Sequence, residues 1–146
     1  RRMWCIEKYI IQSKTMKKNK RYRIEVSEDQ LRMIINCVED CHRFMGGQME
    51  LNHTTDCLDN WDEVQEELKK LHPLVTPNIP YNACYGWNGG SCPNKKQKEF
   101  IQASYYLYRD LLHQWTLMQD TDHWNVYKSP TLRCEGSGET IKLEEV

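Results

Sequence analysis

The strongest constraint in the chain is the stretch from Ser27 to Gly47. Ser27-Glu28-Asp29-Gln30 has the form of a capping box, with Ser27 as N-cap and Gln30 reaching back to it. Gly46-Gly47 stops whatever begins there. The spacing predicts a helix from Glu28 to Met45. At 100° per residue, Met33, Phe44, Cys37, Cys41, Ile34, Met45, Val38, Leu31, His42 and Ile35 fill an arc of roughly 200°. Arg32, Asn36, Glu39 and Arg43 hold the remainder. An arc that wide suits a central helix packed on two sides, with its thiols acting as small buried hydrophobes.

Other segments have to supply the packing. Asn60 or Asp59 can cap a second helix from Trp61 to Leu71, with Trp61, Val64, Leu68 and Leu71 as its stripe and Pro73 as its end. A third helix is expected from about Lys95 to Met118, with Phe100, Ile101, Ser104, Tyr105, Tyr108, Leu111, Leu112 and Trp115 on one side. Tyr22, Ile24 and Val26 alternate with Arg23 and Glu25 and read as a short strand. Further strands are read at 124–128, 131–134 and 140–143, the last two paired across the turn-forming Glu135-Gly-Ser-Gly-Glu139. The predicted class is α+β: about three helices packed on a small antiparallel sheet.

The chain of 146 residues is the size of one domain. Residues 1–23 carry nine Lys and Arg against Glu7 alone, while the rest carries eleven against twenty acids. The organisation expected is a basic N-terminal extension over 1–20 and a single α+β domain over 21–146. Such an arm is a solvated tail or a nucleic-acid contact. Met16 is a plausible translation start, which makes residues 1–15 dispensable for folding. No run reaches the ~18–20 apolar residues that span a bilayer. Seven cysteines, an odd number with no Cys-x-x-Cys pair, point to reduced thiols and a cytoplasmic protein.

Motifs for catalysis are sparse. There is no Gly-x-Ser-x-Gly and no Walker pattern. His53-Thr54-Thr55 gives one His-x-Thr, where two-histidine phosphoesterases need two. Cys37, Cys41 and His42, and separately His53 and Cys57, lack the tight pairs of a zinc site. The expectation is no enzyme, no metal and no cofactor, with an enzyme centred on His53 kept as a rival.

Residues 73–94 form a long loop, stiffened by prolines and then freed by glycines. Tyr81, Tyr85 and Trp87 offer flat faces, Asn88 a polar edge, and Gly89-Gly90 close backbone approach. Asn94 opens a helix carrying Lys95 and Lys98, an anion-binding arrangement. On that helix Gln102, Tyr106, Arg109 and His113 make one polar stripe, and Arg109 suits a phosphate. The expected ligand site is Tyr81, Tyr85, Trp87, Asn88, Gly89, Gly90, Asn94, Lys95, Lys98 and Arg109. The bland alternative is that Gly-Trp-Asn-Gly-Gly is a turn whose tryptophan plugs the core.

Cys-Val-Glu-Asp-Cys-His-Arg-Phe at 37–44, Tyr-Gly-Trp-Asn-Gly-Gly-Ser-Cys-Pro-Asn-Lys at 85–95 and Ser-Pro-Thr-Leu-Arg-Cys-Glu at 129–135 resemble small uncharacterised proteins of phages and prophages of gut anaerobes. The resemblance implies the cytoplasm of an infected bacterial host and carries no site residues. Its setting favours a non-enzymatic sponge, often a homo-oligomer, that sequesters a cyclic or ADP-ribose-type nucleotide immune signal. The rivals are an inhibitor of a host or phage protein and a nucleic-acid accessory protein.

Overall fold

The computed structural model describes residues 20–119, 121–134 and 140–146. Five α-helices follow one another among them: α1 (Glu28–Met45), α2 (Asn52–Thr55), α3 (Trp61–Lys69), α4 (His72–Val75) and α5 (Lys95–Met118), then a 3-10 turn at Val126–Lys128. The two long helices pack along each other and carry the rest.

Helix α1 starts on the capping box in both directions: Ser27 Oγ accepts from Gln30 N–H at 3.2 Å and Gln30 Oε1 from Ser27 N–H at 2.9 Å. Helix α5 starts on Asn94, whose Oδ1 accepts from Gln97 N–H at 3.1 Å. Helix α3 ends at Lys69, and Pro73 stands in the first turn of α4, where its missing N–H costs nothing. Two apolar clusters lie along the α1–α5 contact. Leu31, Ile35 and Leu111 form one, with Val26, Leu107, Trp115, Ile141 and Leu143 around it. Tyr85, Cys92 and Ile101 form the other, with Met45 and Ile79.

The expected sheet is overturned. The fold is helical, and no strand occurs among the described residues. Residues 22–26 belong to no helix or strand, with Tyr22 and Ile24 about three quarters exposed at 75% and 73%. Residues 126–128 form the 3-10 turn, residues 131–134 and 140–143 pair with no strand, and the turn at 135–139 lies outside the described residues. The reason is visible in the hydrogen bonds. Side chains of α5 take the backbone groups that a neighbouring strand would have taken. Tyr106 Oη accepts from Cys134 N–H at 3.1 Å, Asp110 Oδ2 from Ile141 N–H at 3.2 Å, and Gln114 Oε1 from Leu143 N–H at 2.7 Å. Gln114 Nε2 donates to Ile141 O. Alternation survives, with Ile141 and Leu143 half-buried between exposed neighbours, but the partner is a helix.

Helix α1 packs against α5 and α2, but the apolar arc expected to be buried on it is corrected. Leu31, Ile35, Glu39, Asp40 and His42 are buried, while Met33, Cys37 and Cys41 face outward. Of the six described cysteines, all unbridged, Cys92 is buried, Cys134 half-buried, and Cys37, Cys41, Cys57 and Cys84 exposed. The thiols are therefore mostly not core hydrophobes. Cys5, the basic extension before residue 20 and the stretch 1–15 lie outside the described residues.

Candidate functional site

The loop after α4 is pinned at both ends. Tyr85 is 4% exposed, its hydroxyl donates to Asn78 Oδ1, and its N–H reaches Gly46 O at 2.7 Å. Burial pushes its phenol pKa up, with the nearby Cys92 adding to it. Tyr85 is the residue that plugs the core. Trp87 is half-buried, its ring tilted against Tyr105 with centroids 5.1 Å apart.

The glycines serve this packing. Gly89 has φ +80°, and a Cβ there would stand 2.8 Å from Lys98 Cγ; a Cβ on Gly90 would run into Tyr85 O. Their N–H groups are taken, by Gly86 O and Asn88 Oδ1. Lys98 Nζ donates to Gly90 O at 3.2 Å, and Gln102 Nε2 to Asn88 O at 2.8 Å. Asn94 is spent as a cap, Lys95 is exposed, and Tyr81 is 82% exposed. Tyr81 stands at the rim of a cavity of about 350 Å³ lined by Gln48, Glu50, Lys69, His72 and Cys84 among others.

Arg109 does not join the helix start. Fourteen residues of helix separate it from Lys95, about 21 Å along the axis. It comes instead within one turn of Tyr105 and so of Trp87. The polar stripe that contains it is a docking seam. Gln102 holds the loop; Tyr106 takes Cys134 N–H; Arg109 Nη2 donates to Ser129 O at 3.3 Å; His113 Nδ1–H donates to Tyr127 O at 2.8 Å. Arg109 lies over the Tyr127 ring at 5.3 Å and Arg133 over Tyr106 at 5.0 Å. The seam thus gathers Trp87, Tyr105, Tyr106, Tyr127, Arg109 and Arg133 where the loop and the tail meet on α5.

Behind the seam sits a polar interior that the sequence pattern did not flag. His42 Nδ1–H donates to Ile101 O at 2.8 Å, and its ring faces Tyr105 and Tyr108. Burial holds it below the usual imidazole range, so it is neutral. Tyr108 is driven upward by burial first and by Glu39 second. Asp40 accepts from His53 N–H at 3.3 Å and from Thr54 N–H and Oγ1–H at 2.7 and 2.6 Å, which anchors α2 to α1. Glu39 pairs with His53 Nε2 and with Arg43 at 3.4 Å. Thr54 Oγ1, the hydroxyl beside His53, is thus oriented by Asp40. Asp110 takes Arg133 at 2.5 Å as well as the tail backbone. An acid on the core side of a helix is a sequence signal, but its partners lie 13 to 31 residues away and leave no local pattern.

No group of three or more His, Cys, Asp or Glu placed to hold a metal occurs among the described residues, and no helix there is long and apolar enough to cross a membrane. No protein family, curated protein or solved structure matches the chain.

Proposed function

We propose that the chain is a non-enzymatic binder that sequesters a nucleotide-like small molecule, of the cyclic-nucleotide or ADP-ribose type. The observation that carries this reading is the half-buried Trp87 ring seated on Tyr105, one helical turn from Arg109. A base stacks on the open side of Trp87, and the phosphate turns toward α5 rather than toward the capped helix start. On the phage resemblance, the ligand is a host defence signal.

The test is thermal shift and titration calorimetry with cyclic dinucleotides, cyclic trinucleotides and cyclic ADP-ribose isomers. Trp87→Ala lowers affinity about tenfold to a hundredfold, the worth of one stacked base at ~1–3 kcal/mol. Its own melting temperature stays within a few degrees of the parent. Ligand released by denaturation returns unchanged. A collapse of Trp87→Ala stability, or no response to the whole panel, sinks the reading. Recovery of a cleaved product replaces the binder with a hydrolase.

A second reading, inhibition of a partner protein, is favoured by Leu74 and Tyr81, which are 78% and 82% exposed. It predicts that Leu74→Ser and Tyr81→Ser together abolish biological activity in infected cells while Trp87→Ala leaves it intact.

A further inference from the structure

Arg109 is 7% exposed, and a buried guanidinium normally meets a carboxylate. This one does not. Its one hydrogen bond runs from Nη2 to the carbonyl of Ser129, and it stacks on Tyr127. The acid beside it in sequence, Asp110, is taken by Arg133 and the backbone of Ile141. Nη1 of Arg109 is buried with no hydrogen-bond partner. The other buried side-chain polar atom without one, among the described residues, is Thr131 Oγ1. Thr131 lies two residues beyond Ser129, on the same passage of tail over α5, about 7 Å of extended chain away. A guanidinium nitrogen on α5 and a hydroxyl on the passage of tail that Arg109 holds through Ser129 are thus both buried without a hydrogen-bond partner.

We propose that Arg109 Nη1 and Thr131 Oγ1 are the donors of an oxyanion subsite that takes a phosphoryl group, closed over by the tail from Tyr127 to Thr131. Arginine's planar fork suits this role: Nη2 is committed to the tail, which orients the plane, and Nη1 is left for the ligand. Burial strengthens the contact because little water competes for it. The subsite deepens the ligand-binding reading, since it names the group held there. It stands apart from the base platform, since inorganic phosphate has no base.

The experiment uses the full chain. Inorganic phosphate is titrated at constant ionic strength, made up with chloride, and read by thermal shift and 31P NMR; adenosine monophosphate is run in parallel. Phosphate should raise the melting temperature saturably. Thr131→Val, which keeps the shape and removes the hydroxyl, should weaken phosphate roughly threefold to tenfold. Arg109→Lys, which keeps the charge without the fork, should weaken it tenfold or more. Should Arg109→Lys fail to fold, Thr131→Val on its half-buried tail position carries the test. If phosphate leaves the wild-type melting point unchanged, only water satisfies these atoms and the assignment is wrong. It is equally wrong if phosphate binding follows Lys95→Ala and ignores Thr131→Val, because the oxyanion then sits at the helix start. Phosphate that binds with no gain from the nucleoside upholds the subsite and removes the nucleotide reading. Monophosphate binding indifferent to both substitutions does the reverse.

Discussion

His42 is neutral because burial against Tyr105 and Tyr108 outweighs the Ile101 carbonyl, which accepts from its Nδ1–H and pulls the other way. Its folded pKa lies below the unfolded value of about 6.5. Between those two values the unfolded chain binds a proton that the folded chain refuses. Stability therefore stands at its full value above pH 6.5 and falls as pH drops through the folded pKa. The melting temperature should decline from pH 7 to pH 5, and His42→Gln should flatten that decline. An equal slope in the variant would place the titrating group elsewhere. The Cys41 thiol is pushed up by burial, by Cys37 and by Asp40, so at pH 7 it should react with a disulfide reagent more slowly than Cys37. Rates for the two single-cysteine variants measure this directly.

At the scale of elements, the short helices and the tail depend on carboxylates of the long helices. Asp110 holds Arg133 and the Ile141 N–H from a side chain only 4% exposed. Asp110→Ala removes the buried carboxylate that holds Arg133 and the Ile141 N–H and should cost roughly 3 kcal/mol, with faster amide exchange over 131–134 and 140–143 than in α1. Uniform exchange changes across the chain would mean that the tail is not a separable unit. Ser27→Ala, by contrast, removes one capping contact at an exposed start and should cost about 1 kcal/mol. The two capped helices were legible because a cap, its reciprocal partner and the apolar period all sit within a few residues. The tail was not. Alternation at 140–143 reports that one side of an extended chain is covered, and says nothing about whether a strand or a helix covers it.

For the molecule as a whole, the cysteines give the most direct check on the fold. In a Cys5→Ser background, Cys37, Cys41, Cys57 and Cys84 should be labelled in the native state, and Cys92 only on unfolding. Native protection of Cys37 and Cys41 would bury the outward face of α1 and contradict the packing. The candidate site reads the same way. Trp87, Arg109 and the lysines were nameable from residue chemistry. Which of them converge was not: the ten expected ligand residues divide between a core plug at Tyr85, a capped helix start at Asn94, an exposed rim at Tyr81, and the seam of Trp87 and Arg109.

The sequence by itself determined the two long helices, their starting caps and the segmental order, because those depend on contacts three or four residues apart. Only the tertiary structure decided that the tail docks on α5 instead of forming a sheet, and which face of α1 is buried. It also decided that Arg109 lies beneath the tail with an open donor. Each of these rests on a pairing between distant segments, where the choice among partners is made by the burial and hydrogen bonding of the assembled chain.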